Sequence, residues 1–338
     1  MKTVTLDQPY RFTFSDTPSP EACADGEALV RVHQVGICGS DIHAWHGRQP
    51  FFSYPRIIGH ELGVEIVEIG VNDLGLKSGD RCSVEPYINC GHCIACRHGK
   101  SNCCTSLQVL GVHADGGMRE YIKVPINKLH KSNTLTLEQL ALVETLGIGS
   151  HAVDRAMVGS DEYALVIGAG PIGMSVIQFA KLSGARLIVL DINSQRLDFV
   201  QHQFGVEYTL NASDKPLDRV MEITSGDLPT VVFDATGNAT SMMGAFQYVA
   251  HGGRLVFVGL MQGDITFHDP LFHRREMTIL SSRNGLPVNF CRIISLMESG
   301  AVNTSPWITH RASCEEIPGL FSQWVAPDSG MIKGMVSF

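Results

Sequence analysis

Two short segments gather side chains able to do chemistry: GICGSDIH carries Cys38, Ser40, Asp41 and His43, and GHE carries His60 and Glu61. A soft thiolate and an imidazole are good zinc ligands, and a carboxylate and a water complete the open coordination of a catalytic zinc. Asp41 is placed to accept from the far ring nitrogen of His60 and fix its orientation. Singly, each residue has a plainer explanation. An isolated Cys38 commonly fills a core, and an isolated His60 is commonly a satisfied structural histidine.

A second cluster is more conspicuous. NCGHCIACRHGKSNCC, residues 89–104, holds five of the ten cysteines. Cys90, Cys93, Cys96 and Cys104 follow C-x2-C-x2-C-x7-C, and four thiolates on one loop close a tetrahedron around zinc with no open position. Cys103 is the bystander. A disulfide set and an iron–sulfur cluster are the competing readings. The first conflicts with a reducing compartment, and the spacing does not match the usual cluster runs.

A third pattern binds phosphates. GAGPIG sets Gly168, Gly170 and Gly173 at G-x-G-x-x-G spacing, after an apolar run that reads as a strand and before one that reads as a helix. The next apolar strand ends at Asp191, 21 residues beyond Gly170. A carboxylate there accepts from both ribose hydroxyls and repels a 2′-phosphate, which favours NAD over NADP.

These groups need elements to hold them. At 338 residues, 44% apolar and 18% charged, the chain suits two globular domains. Residues 1 to about 150 read as short strands and loops rich in Gly, Pro, His and Cys. Beyond them, EYALVIGAG, ARLIVLD, TVVFDATG and GRLVFVGL are buried strands alternating with helical stretches, which predicts an α/β, doubly wound parallel sheet. The tail from about Asn284 does not continue that rhythm. The net charge of −8 argues against nucleic-acid and anionic-membrane partners. The start, MKTVTLDQPYRFTF, has no apolar signal core, and the longest apolar stretch, Tyr163 to Ala180, is broken by GAGPIG. A cytoplasmic location is the expectation.

Together GICGSD, GHE, the four-cysteine loop, GVHADGG, GAGPIG, FDATGN and IKGMVSF make the chain resemble, over essentially its whole length, the zinc-dependent medium-chain dehydrogenases, the alcohol, sorbitol and threonine dehydrogenase superfamily. The resemblance implies a GroES-like β-barrel catalytic domain from residues 1–150 and 288–338, with the Rossmann domain inserted at 151–287. It implies two zincs, a structural one on the loop 89–104 and a catalytic one on Cys38 and His60. Glu144, in LVETLGIGSHA, is the third protein ligand implied, with Glu61 a direct ligand or one that swings behind the metal. The implied reaction is oxidation of a carbinol, with zinc lowering the pKa of its hydroxyl and NAD taking the hydride. Ser40 and His43 match the proton relay of that family. The cofactor set extends to Pro171, Ile172, Arg196, Thr236, Gly237, Val258, Gly259 and Ser282. One departure is Val64, where the family usually has glycine; here Gly63 precedes it.

DIHAWHGRQPFFSYPRIIGHE and SSRNG resemble the branch acting on L-galactonate or L-gulonate at C5. That branch implies a sugar-acid substrate, with polyols and L-threonine as the substrates of neighbouring branches. A non-catalytic protein that binds zinc and NAD is the remote alternative. A carboxylate calls for an arginine, first Arg283 with Asn284 beside it, then Arg48 or Arg56. Trp45, Phe51 and Phe52 are candidates for the pocket wall, with core or interface packing as the competing reading. The resemblance also implies a homodimer or homotetramer.

Overall fold

The computed structural model describes all 338 residues, which form two compact units: 1–145 with 286–338, and 146–285. Both divisions fall slightly before the expected 150/151 and 287/288. The first lies within the helix Val143–Ala156, where no change of composition marks it. No helix is long and apolar enough to cross a membrane.

The first unit is built on a seven-stranded sheet. Along its path run Ile308–Ser313, Lys333–Ser337, Glu27–Gly36, Glu61–Ile69, Arg81–Val84 and Leu129–Lys131, with Tyr121–Pro125 paired to Glu27–Gly36. The tail therefore returns to this sheet: Lys333–Ser337 pairs antiparallel with Glu27–Gly36. Alternation along the strands, reset by an irregularity between Val32 and Gln34, sends Val30, Val32, Val35, Leu62, Val64 and Ile66 into one core with Phe12, Trp45 and Phe321. Gly63 answers the departure at Val64. A Cβ on Gly63 would sit 2.0 Å from the carbonyl oxygen of Leu137, so the close approach to the helix Leu137–Ala141 falls on Gly63, and Val64 is buried.

The second unit carries a six-stranded sheet in the order Tyr208–Asn211, Arg186–Asp191, Tyr163–Ile167, Val231–Asp234, Arg254–Phe257 and Thr278–Ser281, every pair parallel. The chain order reverses between the third and fourth strands. In such sheets the crevice at the carboxyl ends beside that switch point takes the ligand. Gly168 stands there, its φ of +97° making the turn that a side chain would strain.

Candidate active site

Cys38 is positioned by the start of the helix Gly39–Trp45. Asp41, in the first turn, accepts from the Cys38 backbone N–H at 2.9 Å and so closes the helix end. Asp41, Ala44 and Trp45 share the buried face of this helix, while His43 lies off it, reachable by solvent but with its ring partly shielded. His60 and Glu61 stand where the chain enters the strand Glu61–Ile69. The ligand atoms of Cys38, His60 and Glu61 all lie within 4.8 Å of one another.

The surroundings of this trio are electrically unusual. His60 is 5% exposed, its Nδ1 is 3.9 Å from Asp41 Oδ1, and no hydrogen bond reaches that nitrogen. The expected contact with Asp41 is thus an ion-pair approach, longer than a hydrogen bond. Burial pulls the His60 pKa down, but Asp41, then Cys38 and Glu144, outweigh it and hold it well above the ordinary value. Burial pushes Asp41 up. Ser40 Oγ is 3.4 Å from His60 Nε2. A half-buried thiol with a buried imidazole and carboxylate, among further acids, forms a donor set that fits zinc.

Each of the two carboxylates has a dedicated donor, and the reading of the sequence found neither. Lys333 Nζ lies 2.6 and 2.8 Å from the two oxygens of Glu61 and also donates to the carbonyl of Ile37 at 3.1 Å and to Thr145 Oγ1 at 3.4 Å. The Tyr87 hydroxyl donates to Glu144 Oε1. Glu144 is buried in the first turn of the helix Val143–Ala156 but does not belong to the tight trio. Burial raises its pKa, opposed by His60 and reinforced by Glu61. Lys333 was present in IKGMVSF only as a motif residue. Its signal was a lysine in an otherwise apolar strand.

The four cysteines of the loop meet as expected, with the sulfurs of Cys90, Cys93, Cys96 and Cys104 within 4.8 Å of one another. Backbone N–H groups already point at them: Cys93 to Cys90 Sγ at 3.4 Å, Cys90 to Cys104 Sγ at 3.3 Å and Ser106 to Cys104 Sγ at 3.4 Å. The N–H groups of Cys96 and then Thr105 lower the Cys93 pKa to about 5, so this thiolate forms readily. The cluster fits a closed structural zinc site, and Cys103 is exposed beside it.

In the second unit, Gly170 caps and Pro171 begins the helix Pro171–Leu182. A Cβ on Gly173 would lie 1.7 Å from the Gly168 carbonyl oxygen, so helix and strand touch through this glycine. A Cβ on Gly170 would meet only the Arg196 guanidinium, at 3.6 Å, which leaves the backbone open to a phosphate. Ile172 lies in the first turn. Asp191 ends its strand and accepts from Ala169 N–H at 2.6 Å and Asn193 N–H at 2.8 Å. Thr236 bonds Asp234 through its backbone and hydroxyl, and the N–H groups of Val258 and Gly259 reach the Asp234 carbonyl. Gly237 and Gly259 pack backbone to backbone. Ser282 is buried with its hydroxyl unpartnered. The open cradle, the strand-end acid and this free hydroxyl fit a dinucleotide.

The expected substrate contacts separate. Trp45 is corrected: it is 5% exposed, stacked on Phe12 at 5.2 Å and 5.1 Å from Phe321, because helical spacing puts it on the core face with Asp41. Phe52 packs on the same core beside Tyr54. Phe51 is exposed next to His113. Arg56 is held by Asp115 at 3.2 Å and by Ser53 at 2.7 Å. Arg48 is exposed near the end of the helix that carries His43. Arg283 is exposed just past the strand Thr278–Ser281, at the carboxyl edge of the parallel sheet, followed by Asn284 with φ of +56°.

Residues 24–134 match the family model described as alcohol dehydrogenase GroES-like domain, and residues 171–299 match zinc-binding dehydrogenase. The chain is 38% identical to L-galactonate-5-dehydrogenase of Escherichia coli K12 over 100% of this chain and 99% of that one. It is 33% identical to L-threonine 3-dehydrogenase of Pyrococcus horikoshii, over 88% of this chain and 86% of that one. Among solved structures, the alcohol dehydrogenase RspB of Escherichia coli CFT073, complexed with NADH, superposes with a TM-score of 0.90 at 29% identity, covering 100% and 99% of the two chains. With its GroES-like domain and its parallel Rossmann sheet, this chain belongs to the zinc-type alcohol dehydrogenase family, oxidoreductases acting on CH–OH groups.

Proposed function

We propose that the chain is an NAD-linked zinc dehydrogenase oxidising a secondary alcohol of a sugar acid, of the L-galactonate or L-gulonate type at C5, to the keto-acid. The observation that carries the reading is the tight trio of half-buried Cys38 with buried His60 and Glu61, in a chain matched end to end by L-galactonate-5-dehydrogenase. Cys38 and His60, with Glu61 or Glu144, would hold the catalytic zinc, and Cys90, Cys93, Cys96 and Cys104 the structural one. When bound, the zinc supplies a Lewis acid at the carbinol oxygen and NAD supplies the hydride acceptor.

The chain's own residues do the rest. Lys333 and Tyr87 each occupy one carboxylate, and so influence which of the two is free to turn toward the cation. Ser40 takes up the hydroxyl proton and passes it toward His43. The His43 pKa is lowered by burial, then by Arg48 and His46, which keeps the ring a neutral acceptor at pH 7. Asp191 retains lone pairs for the ribose hydroxyls, and its charge disfavours a 2′-phosphate. Pro171, Ile172, Arg196, Thr236, Gly237, Val258, Gly259 and Ser282 complete the cofactor site. Arg283, with Asn284, is our choice for the substrate carboxylate, and Phe51 for the outer wall. The open-edge strand Thr278–Ser281 is a surface through which a homodimer could form.

The similarity to L-threonine 3-dehydrogenase favours a second reading, a polyol or threonine dehydrogenase. Formation of NADH across aldonates, polyols and L-threonine separates them. The aldonates should give the highest kcat/KM, and Arg283→Ala should raise KM for an aldonate about tenfold or more while leaving a neutral polyol little changed. A preference for L-threonine or a polyol would overturn the sugar-acid assignment. No turnover by zinc-loaded protein that still binds NAD would favour the non-catalytic alternative.

A further inference from the structure

Away from the trio, the first unit holds a buried ionic group that the reaction does not use. Glu85 is 1% exposed. One of its oxygens lies 2.5 Å from Lys128 Nζ and the other 3.3 Å from His130 Nε2. His130 is 9% exposed, and its ring stacks on Phe290 at 4.9 Å and 24°. Its remaining nitrogen, Nδ1, is 3.7 Å from the sulfur of Cys291, which is exposed in the helix Pro287–Glu298. A carboxylate can only accept, so Glu85 takes the proton of Nε2 and leaves the lone pair of Nδ1 facing the thiol. A nucleophile within reach of a base, and a base oriented by a buried acid, is the arrangement that activates a nucleophile.

We propose that Cys291, with His130 as its base and Glu85 holding that base, is a nucleophilic modification site for small soft electrophiles, hydroperoxides among them. With a hydroperoxide the sulfur attacks the terminal oxygen and the O–O bond breaks. The thiol is oxidised to a sulfenic acid and the peroxide reduced to an alcohol or water. The thiol proton passes to His130 Nδ1 and on to the leaving oxygen, while Glu85 stabilises the transient imidazolium. No cofactor takes part.

The other cysteines are the internal controls. Cys90, Cys93, Cys96 and Cys104 face one another, and Cys38, half-buried, belongs to the trio with His60 and Glu61. Cys82 and Cys314 are buried, which pushes both thiols up to about 12. Burial also raises Cys23. Cys103 is exposed, as Cys291 is, but has no imidazole against its sulfur. It therefore reports the reactivity of an unassisted surface thiol in the same molecule.

The test is timed alkylation of the zinc-loaded, full-length protein by limiting iodoacetamide at pH 7, with site occupancy read by peptide mass spectrometry. Cys291 should be labelled about tenfold faster than Cys103. His130→Gln, with its fold checked by circular dichroism, should bring Cys291 down to the rate of Cys103 and leave Cys103 unchanged. Equal rates in the unaltered protein would overturn the proposal without any variant. So would a folded His130→Gln protein in which Cys291 keeps its lead. A parallel arm with hydrogen peroxide and a sulfenic-acid trap should label Cys291 ahead of Cys103; trapping on Cys103 first would remove hydroperoxides from the class.

Discussion

His43 carries a pH dependence that can be argued from its own surroundings. Its lowered pKa means the ring sheds its proton below the usual imidazole range, so oxidation should rise through that lower value and be near its plateau at pH 7. His43→Gln should therefore cost about tenfold to a hundredfold in kcat near pH 7. It should regain rate in alkali, where hydroxide takes the proton. A pH profile superimposable on that of the unaltered enzyme would remove His43 from the relay. Lys333 gives a stability prediction instead. Its side chain is 1% exposed and that of Glu61 0%, so Lys333→Met strands a buried carboxylate. Urea denaturation should show a loss of about 3–5 kcal/mol, much of it recovered in the double variant with Glu61→Gln. Equal stability of the Lys333→Met protein would contradict the pairing. Cys38, His60 and Glu144 were legible as residues, since their types and flanking motifs are distinctive. Tyr87 and Lys333 were not, because they meet Glu144 and Glu61 across 57 and 272 residues, distances at which spacing carries no signal.

At the scale of elements, local chemistry decided what could be read. The strand–GAGPIG–helix unit is contiguous, so its turn, helix start and strand-end acid were all visible. Asp191→Ser should relax the cofactor preference, with kcat/KM for NADP rising at least about tenfold relative to NAD. Steady-state kinetics with both cofactors checks it, and an unchanged ratio would sink the assignment of Asp191 to the ribose. Trp45 stayed open between pocket wall and core because a seven-residue helix shows too little periodicity to reveal its inner face. Another element-level tie is acid-sensitive. Glu162, just before the strand Tyr163–Ile167, lies 2.7 Å from both terminal nitrogens of Arg254 and accepts from Gly159 N–H and Thr230. Arg254 first, then those hydrogen bonds, hold its pKa at about 2 against burial. The folded pKa is depressed, so the stabilisation is complete above the unfolded value near 4.5 and fades as pH falls toward 2. Thermal unfolding of Glu162→Gln at pH 7 should show about 2 kcal/mol less stability, the difference narrowing below pH 4. A pH-independent difference would argue against the ion pair as its source.

For the molecule as a whole, the decisive measurement is metal content. About two zincs per chain are expected, and Cys93→Ser should leave about one and lower the thermal midpoint. One zinc in the unaltered protein would leave only the closed cysteine site. The parallel, doubly wound character of the second unit's sheet was foreseeable from alternating strands and helices, though its strand order was not. The return of the tail was not foreseeable from periodicity, since Lys333–Ser337 reads as any short apolar strand until it pairs with Glu27–Gly36. That return has a consequence in time. A ribosome making this protein delivers Glu61 272 residues ahead of Lys333, a lag of roughly 15 to 55 s at ordinary elongation rates. Throughout that interval Glu61 lacks the ammonium that meets both its oxygens in the finished fold, so metal captured then would meet a different set of partners. The strand Lys333–Ser337 brings the matching cation long after the acid it pairs with, and that order of manufacture is written into the pairing of two side chains.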